Sequence, residues 1–149
     1  MAAVRAVLDT NVVIAAHRSR GPASPNREIL TRWEAGDFTL LYSEDVLLEY
    51  VEKLIELGVP DEKRREFVRS VGVLGEAVAI VFFHLRRYPA DADDIAFLLC
   101  AINGRASHLV TYDGGFSAVV ADCAFTICEP LAFLAALRRP SLPATPKPQ

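Results

Sequence analysis

Four carboxylates in this chain stand where an apolar run ends or a buried element begins. Asp9 follows Val4-Arg5-Ala6-Val7-Leu8 and precedes Thr10-Asn11-Val12-Val13. Glu49 lies beside the apolar stripe of a mid-chain helix. Asp94 ends the acidic stretch Asp91-Ala92-Asp93-Asp94, ahead of Ile95-Ala96-Phe97-Leu98. Asp113 follows Leu109-Val110-Thr111-Tyr112. Burying a lone carboxylate is costly, so each needs a metal ion, a helix N-terminus or a basic side chain. The plain alternative for Asp9 is an N-cap, since Asp, Thr and Asn all cap well. For Asp113 it is a turn residue before two glycines, and for Glu49 a solvated residue paired with Lys53. Three acids at one helix mouth exceed what capping requires. Like charges about 4 Å apart at an effective dielectric near 20 repel by roughly 4 kcal/mol, so crowded acids either point apart into water or share a cation.

The elements that must position these acids alternate. A strand from about Arg5 to Leu8 leads into a helix near Asn11 or Val12. A turn-rich basic loop, His17-Arg18-Ser19-Arg20-Gly21-Pro22, precedes a helix from about Pro25 to Ala35, capped by Ser24 and stopped by Gly36. Phe38 to Tyr42 is the second strand. Ser43 caps a helix running to Leu57 and ending at Gly58, with the stripe Val46, Leu47, Tyr50, Val51, Leu54 and Ile55. Pro60 starts another helix, buried through Phe67, Val68, Val71 and Leu74. Val78 to Phe83, rich in β-formers, reads as the third strand, and the basic-aromatic connector His84-Leu85-Arg86-Arg87-Tyr88-Pro89 follows it. The helix after Asp94 is apolar all round, so it belongs inside the protein, and Asn103-Gly104 closes it. His108 to Thr111 is the fourth strand, Phe116 to Val120 a helical turn, Ala124 to Cys128 the fifth strand, and Leu131 to Leu137 the last helix. Residues 138–149, rich in Pro, read as a disordered tail after a single domain over 1–137.

Such alternation implies a mostly parallel sheet covered on both faces. Its strands' carboxyl ends then share one rim, where open α/β sheets place ligands. Asp9 and Asp113 fall there directly, Asp94 opens a helix at the same rim, and Glu49, one to two turns into its helix, can lean over it. Acids converging from separate elements make a metal-site geometry.

Composition bounds the rest. The chain has 149 residues, 52% of them hydrophobic, and a net charge of −3. That suits one folded domain and excludes a uniformly basic surface, so any nucleic-acid contact uses local patches. The cysteines Cys100, Cys123 and Cys128 form no paired motif and read as reduced residues of a cytosolic protein. His17, His84 and His108 are scattered and make no zinc pattern. No signal peptide and no apolar run of the roughly 20 residues that cross a membrane is expected, which makes the protein soluble and cytoplasmic. Neither GxGxxG nor GxxxxGK occurs.

Together, Val7-Leu8-Asp9-Thr10-Asn11-Val12, Ser43 with Glu49, Asp94-x-x-Phe97-Leu98 and Leu109-Val110-Thr111-x-Asp113 resemble the PIN domain family. Within that family they are similar to the bacterial and archaeal toxin-like proteins of VapC type. The ordered set spans about Val4 to Leu134. The resemblance implies a three-layer α/β/α sandwich with a five-stranded, mostly parallel sheet. It also implies a divalent-metal-dependent ribonuclease, the toxin of a type II toxin–antitoxin pair, using Mg2+ or Mn2+. Carried over residue by residue, Asp9, Glu49, Asp94 and Asp113 are the catalytic, metal-binding acids, with Thr10, Asn11 and Thr111 as polar supports. An antitoxin protein and a homodimeric state follow from the same resemblance. The sequence departs from the family at two places. Many relatives carry two acids directly before Phe-Leu, whereas here Ile95 fills the second place and Asp93 lies before Asp94, so Asp91 and Asp93 compete with Asp94 as ligand. Gly114-Gly115-Phe116 stands where relatives often have a charged residue.

Hard divalent ions take oxygen ligands, and a carboxylate cage with open positions suits them. No His or Lys occupies a motif position to act as general base, which favours metal-activated water. RNA needs cations beside an acidic pocket: Arg18 and Arg20 with His17, and Arg86 with Arg87, are the candidates, against ordinary solubilising charge. Single-stranded RNA suits a narrow cleft. Tyr88 and Tyr112 are rim or core residues, with base stacking as the alternative. The competing reading is a PIN-fold module that binds RNA or protein with little catalysis. An aspartyl phosphatase is disfavoured because Asn11 stands where its second acid belongs.

Overall fold

A computed structural model describes residues 3–19, 21, 23–82, 84–117 and 119–138. Five parallel strands, β1 (Arg5–Leu8), β2 (Thr39–Tyr42), β3 (Glu76–Ala77), β4 (His108–Val110) and β5 (Thr126–Cys128), are ordered β3-β2-β1-β4-β5. Six helices join them: α1 (Thr10–Arg18), α2 (Pro25–Glu34), α3 (Glu44–Leu57), α4 (Asp61–Leu74), α5 (Ile95–Asn103) and α6 (Pro130–Arg138). The central strand explains why. Ala6, Val7 and Leu8 are each wholly buried, and successive strand residues face opposite sides. Both faces of β1 are therefore covered, the signature of a parallel sheet between helical layers. Strand order steps outward from β1 through β2 to β3, then returns past β1 to β4. Right-handed crossovers consequently place α1–α4 on one face and α5 on the other.

Local signals set the helix ends. The Ser24 and Ser43 hydroxyls accept from the backbone N–H groups of Arg27 and Val46. Gly58 ends α3 in the left-handed region at φ 82°. The expected stripes are buried at Val46, Tyr50 and Leu54 on α3 and at Phe67 and Val71 on α4, while Ile55 and Leu74 are exposed at 53% and 48%. Arg138, expected to open the tail, is the last residue of α6, and its guanidinium bridges Glu28 of α2 at 2.5 Å. Residues 139–149 lie outside the described residues. Cys100, Cys123 and Cys128 are free thiols. No helix among the described residues is long and apolar enough to cross a membrane.

The third strand corrects the sequence reading. Strand pairing covers Glu76 and Ala77, not Val78 to Phe83. The reason is the length of the partner. β2 stops at Tyr42, because Ser43 begins the cap of α3, and the last bond of this edge runs from Val78 N–H to the Tyr42 carbonyl at 2.7 Å. Beyond it Asn103 takes over: its Oδ1 accepts from the N–H groups of Val81 and Phe82 at 2.9 and 2.8 Å, and its Nδ2 donates to the Phe82 carbonyl. Phe83 lies outside the described residues. The turn expected from Phe116 to Val120 is two short 3-10 turns, Gly114–Phe116 and Val120–Asp122, with Ala118 outside the described residues.

One buried contact ties the helical layer to the central strand. The hydroxyl of Tyr50, a wholly buried α3 residue, donates to the Leu8 carbonyl, one residue before Asp9. Its aromatic neighbours are Phe67 of α4 and Phe97 of α5. We expect Tyr50→Phe to keep the packing and lower unfolding free energy by about 1 kcal/mol, the net value of one such hydrogen bond. Urea unfolding checks this; an unchanged midpoint would show that the bond contributes nothing.

Candidate metal centre

The strand order makes a crevice. β1 continues towards β2 and β4 towards β5, so the chain leaves these two neighbours in opposite directions, which is where ligands enter open α/β sheets. Register aligns their ends: Leu8 pairs with Val110, and Asp9 N–H donates to the Val110 carbonyl at 2.9 Å. Asp9 caps α1, with Oδ1 accepting from Thr10 N–H at 2.7 Å. Its Oδ2 accepts from the Thr111 hydroxyl at 2.6 Å. The capping role and the place in the crevice thus belong to the same side chain.

Asp113 follows on the loop after β4. Its N–H donates to Thr111 Oγ1 at 2.9 Å, and its Oδ1 accepts from Gly115 N–H at 2.8 Å. Asp94 arrives from the other side of the sheet at the end of a 3-10 turn, Ala92–Asp94, that leads into α5. Asp9, Asp94 and Asp113 each present an oxygen, and the three atoms lie within 4.8 Å of one another. Of the three acids at this helix mouth, Asp94 is the one turned inward. Asp91 spends an oxygen on Asp93 N–H, and both Asp91 and Asp93 are exposed.

Electrostatics mark the same place. Burial pushes the Asp9 carboxyl up from its ordinary range, opposed by the Thr111 hydroxyl and Thr10 amide and reinforced by Asp113 and Asp91. Burial, then the charges of Asp9 and Asp113, pushes Asp94 up to about 7. Asp94 Oδ2 is buried with no hydrogen-bond partner. An unpartnered carboxylate oxygen among other carboxylates fits a hard divalent cation, which takes oxygen donors and relieves the repulsion.

Glu49 stands outside this group of three. It is half-buried on the second turn of α3, and its carboxyl is raised by burial first, then by Asp93, with Lys53 opposing and Asp9 adding a smaller push. It therefore faces the same acidic region without joining the contact. Lys53 pairs with Glu56 at 3.3 Å. Thr10 contributes its amide, while its hydroxyl is buried and unpartnered. Asn11 Oδ1 accepts from Tyr112 N–H at 3.4 Å.

The cations spread apart. Arg18 is exposed at the end of α1, and His17 is turned into the fold, its Nδ1 at 2.9 Å from the Val13 carbonyl and its ring edge-on to Phe67. Arg86 and Arg87 line a cavity of about 720 Å³ with Leu98, Ile102 and Phe125, which none of the three acids lines, and Arg87 pairs with Asp122 at 3.7 Å. Arg20 lies outside the described residues.

Two residues of the site carried no motif signal. A Cβ on Gly115 would sit 3.1 Å from Asp113 Oδ1 and 3.3 Å from Asp94 Oδ2. The glycine that departs from the family pattern thus gives the carboxylates room and supplies an N–H. Asn26 of α2 is buried and donates from Nδ2 to the Tyr112 hydroxyl at 2.9 Å. Only contact between distant segments reveals either role.

A raised carboxyl stabilises the fold while it is protonated. Its contribution is complete below the ordinary carboxylate range and is lost as pH rises through the folded-state value, about 7 for Asp94. Ion-free protein, kept in chelator, is therefore expected to lose Tm between about pH 4 and pH 7. Asp94→Asn should flatten that decline and melt above wild type at the upper end. A wild-type Tm that climbs over the same interval would contradict the burial of uncompensated charge.

Comparison with known proteins agrees with this arrangement. The family model described as PIN domain matches residues 5–114, which takes in Asp9, Glu49, Asp94 and Asp113. No curated protein matches the chain. Among solved structures, a chain of VapBC2 from Rickettsia felis bound to a DNA fragment from their promoter superposes with a TM-score of 0.54 at 14% identity. The overlap covers 85% of this chain and 98% of that one. The parallel sheet ordered around β1 and the long family match lead to one conclusion: the chain belongs to the PIN domain family.

Proposed function

We propose that the protein is a divalent-metal-dependent ribonuclease of VapC type, the toxin of a toxin–antitoxin pair. The observation that carries this reading is the meeting of Asp9, Asp94 and Asp113 within 4.8 Å, with one buried carboxylate oxygen left unpartnered. PIN domains are generally nucleases and typically bind divalent metals, and the VapBC2 chain from Rickettsia felis shares the fold. The acidic ligands in this reading are Asp9, Asp94 and Asp113, with Glu49 holding water at the edge of the shell. Mg2+ or Mn2+ supplies Lewis acidity when bound, neutralising charge that develops on a phosphodiester and making a water more acidic.

The chain's own residues do the positioning. Thr111 and Thr10 each hold one oxygen of Asp9, so the carboxylate cannot rotate and its remaining lone pairs keep one direction. Gly115 N–H does the same for Asp113. Packing against the α5 start keeps Asp94 out of water. Arg18, Arg86 and Arg87 offer salt-sensitive phosphate contacts that read no sequence. In the same reading the protein works in the cytoplasm as a homodimer, and an antitoxin blocks the acidic crevice.

Asp9→Asn is expected to abolish Mn2+-dependent cleavage of single-stranded RNA and to remove the rise in Tm that Mn2+ gives wild type. Thr111→Val, which removes the donor and keeps the shape, should cost about 10–100-fold in activity or metal affinity. Cleavage that persists in excess chelator, or in Asp9→Asn, would overturn the metal-dependent mechanism; a wild type that cleaves no RNA with Mn2+ would leave a PIN-fold binding module.

A further inference from the structure

Tyr112 sits on the loop between Thr111, which holds Asp9, and Asp113, which joins the acidic group. Its side chain is 44% exposed. An exposed loop aromatic ordinarily turns freely, but this ring is held at its tip, and its loop at the backbone. Its hydroxyl accepts from Nδ2 of Asn26, itself only 6% exposed, at 2.9 Å, and its backbone N–H donates to Asn11 Oδ1. Asn26 leaves its other side-chain atom, Oδ1, buried and unpartnered. A buried amide that spends its donor on an exposed phenol while its acceptor goes unmet does little for the core. Its effect is to fix a ring at the rim of the acidic crevice.

Resting on the nuclease reading above, we infer that Tyr112 is a stacking platform for a nucleobase of single-stranded RNA, one or two nucleotides from the phosphate at the acids. A fixed ring keeps its apolar face available without losing side-chain freedom on binding. Every base has a π-face, so such a platform binds strands with little sequence preference. It also gives the substrate an attachment that does not rely on charge, which matters beside three carboxylates. Unstacked bases splayed onto aromatic side chains are the usual way single-stranded RNA is held. The two asparagines are positioning residues for the ring, and the ring contacts the base.

The test uses short single-stranded oligoribonucleotides with Mn2+ and three proteins: wild type, Tyr112→Phe and Tyr112→Leu. Tyr112→Leu should raise KM about tenfold or more with kcat little changed, while Tyr112→Phe, which keeps the ring but loses its bond to Asn26, raises KM by a smaller factor of about two to five. Scanning an abasic nucleotide along the substrate should find one position that raises KM for wild type by a similar factor and adds nothing in Tyr112→Leu. Retention of the Mn2+-induced Tm rise confirms that both variants fold around an intact site. Equal KM for wild type and Tyr112→Leu, or an abasic penalty that survives in Tyr112→Leu, overturns the stacking role and leaves the nuclease reading standing; the ring would then be a protein-contact or purely structural residue. A wild type that cleaves no RNA overturns the nuclease reading and the stacking role with it.

Discussion

The structure is built around a carboxylate kept out of water. Asp9 is 5% exposed, and the two hydrogen bonds it receives, from the Thr111 hydroxyl and the Thr10 amide, do not offset the effect of burial on its charge. Asp94 is equally buried and has less to compensate it. Two ionised groups within 4.8 Å at an effective dielectric of about 20 repel by roughly 3–4 kcal/mol, a sizeable share of a small domain's stability of about 5–15 kcal/mol. That cost falls at the end of the central strand, where Asp9, Asp94 and Asp113 meet. Capping of α1 accounts for the place of Asp9, whereas Asp94 makes no capping bond at the start of α5 and leaves its Oδ2 unpartnered.

The sheet is what holds the acids together against that repulsion. β1 and β4 are neighbours in space but their paired residues are 102 positions apart in sequence, and their ladder fixes Leu8 opposite Val110. With that pairing, Asp9 and Thr111 are the next residues on each strand, and a hydroxyl on one meets a carboxylate on the other at 2.6 Å. A one-residue slip would turn both side chains to the other face. Arg5 and Ser107 secure the opposite end of the same pair, where the Arg5 amide and carbonyl both meet the Ser107 hydroxyl at 3.0 Å. The geometry of the site is therefore a property of strand register rather than of loop conformation.

That dependence explains what was legible in the sequence. Asp9, Asp94 and Asp113 could be placed at one rim because apolar runs, caps and glycines locate strand and helix ends, and parallel topology does the rest. The helices from Pro25 and Glu44 were legible because Ser24 and Ser43 cap them, and the one from Asp61 because Pro60 stands before it. Val78 to Phe83 was not, because β-propensity says what a segment tolerates, and the length of a strand depends on a partner elsewhere. Here the partner stops at Tyr42, and Asn103, 21 residues beyond Phe82, satisfies the leftover backbone. Glu49 belongs to the same class. Its helix was clear, but how far its carboxylate reaches depends on the tilt of α3 over the rim, which local pattern does not encode.

The acidic run before α5 shows how three similar side chains are given different places without any change of residue type. A 3-10 turn stacks side chains at i and i+3 and points the intervening ones elsewhere. Asp91 starts the turn, and its carboxylate closes back on Asp93 N–H, so it is occupied as a cap. Asp93 projects on the outer side, where its charge is the largest that Glu49 feels. Asp94 ends the turn and enters α5, whose Phe97, Leu98, Cys100 and Ala101 are buried, so it is carried inward with the helix. The apolar helix thus does the work of burying the acid: its own packing keeps Asp94 beside Asp9 in spite of the charge. Ile95, in the place where relatives often carry a second acid, is part of the same arrangement. With a partly buried apolar residue after Asp94, the second negative charge sits one position earlier in the chain, at Asp93, where water reaches it.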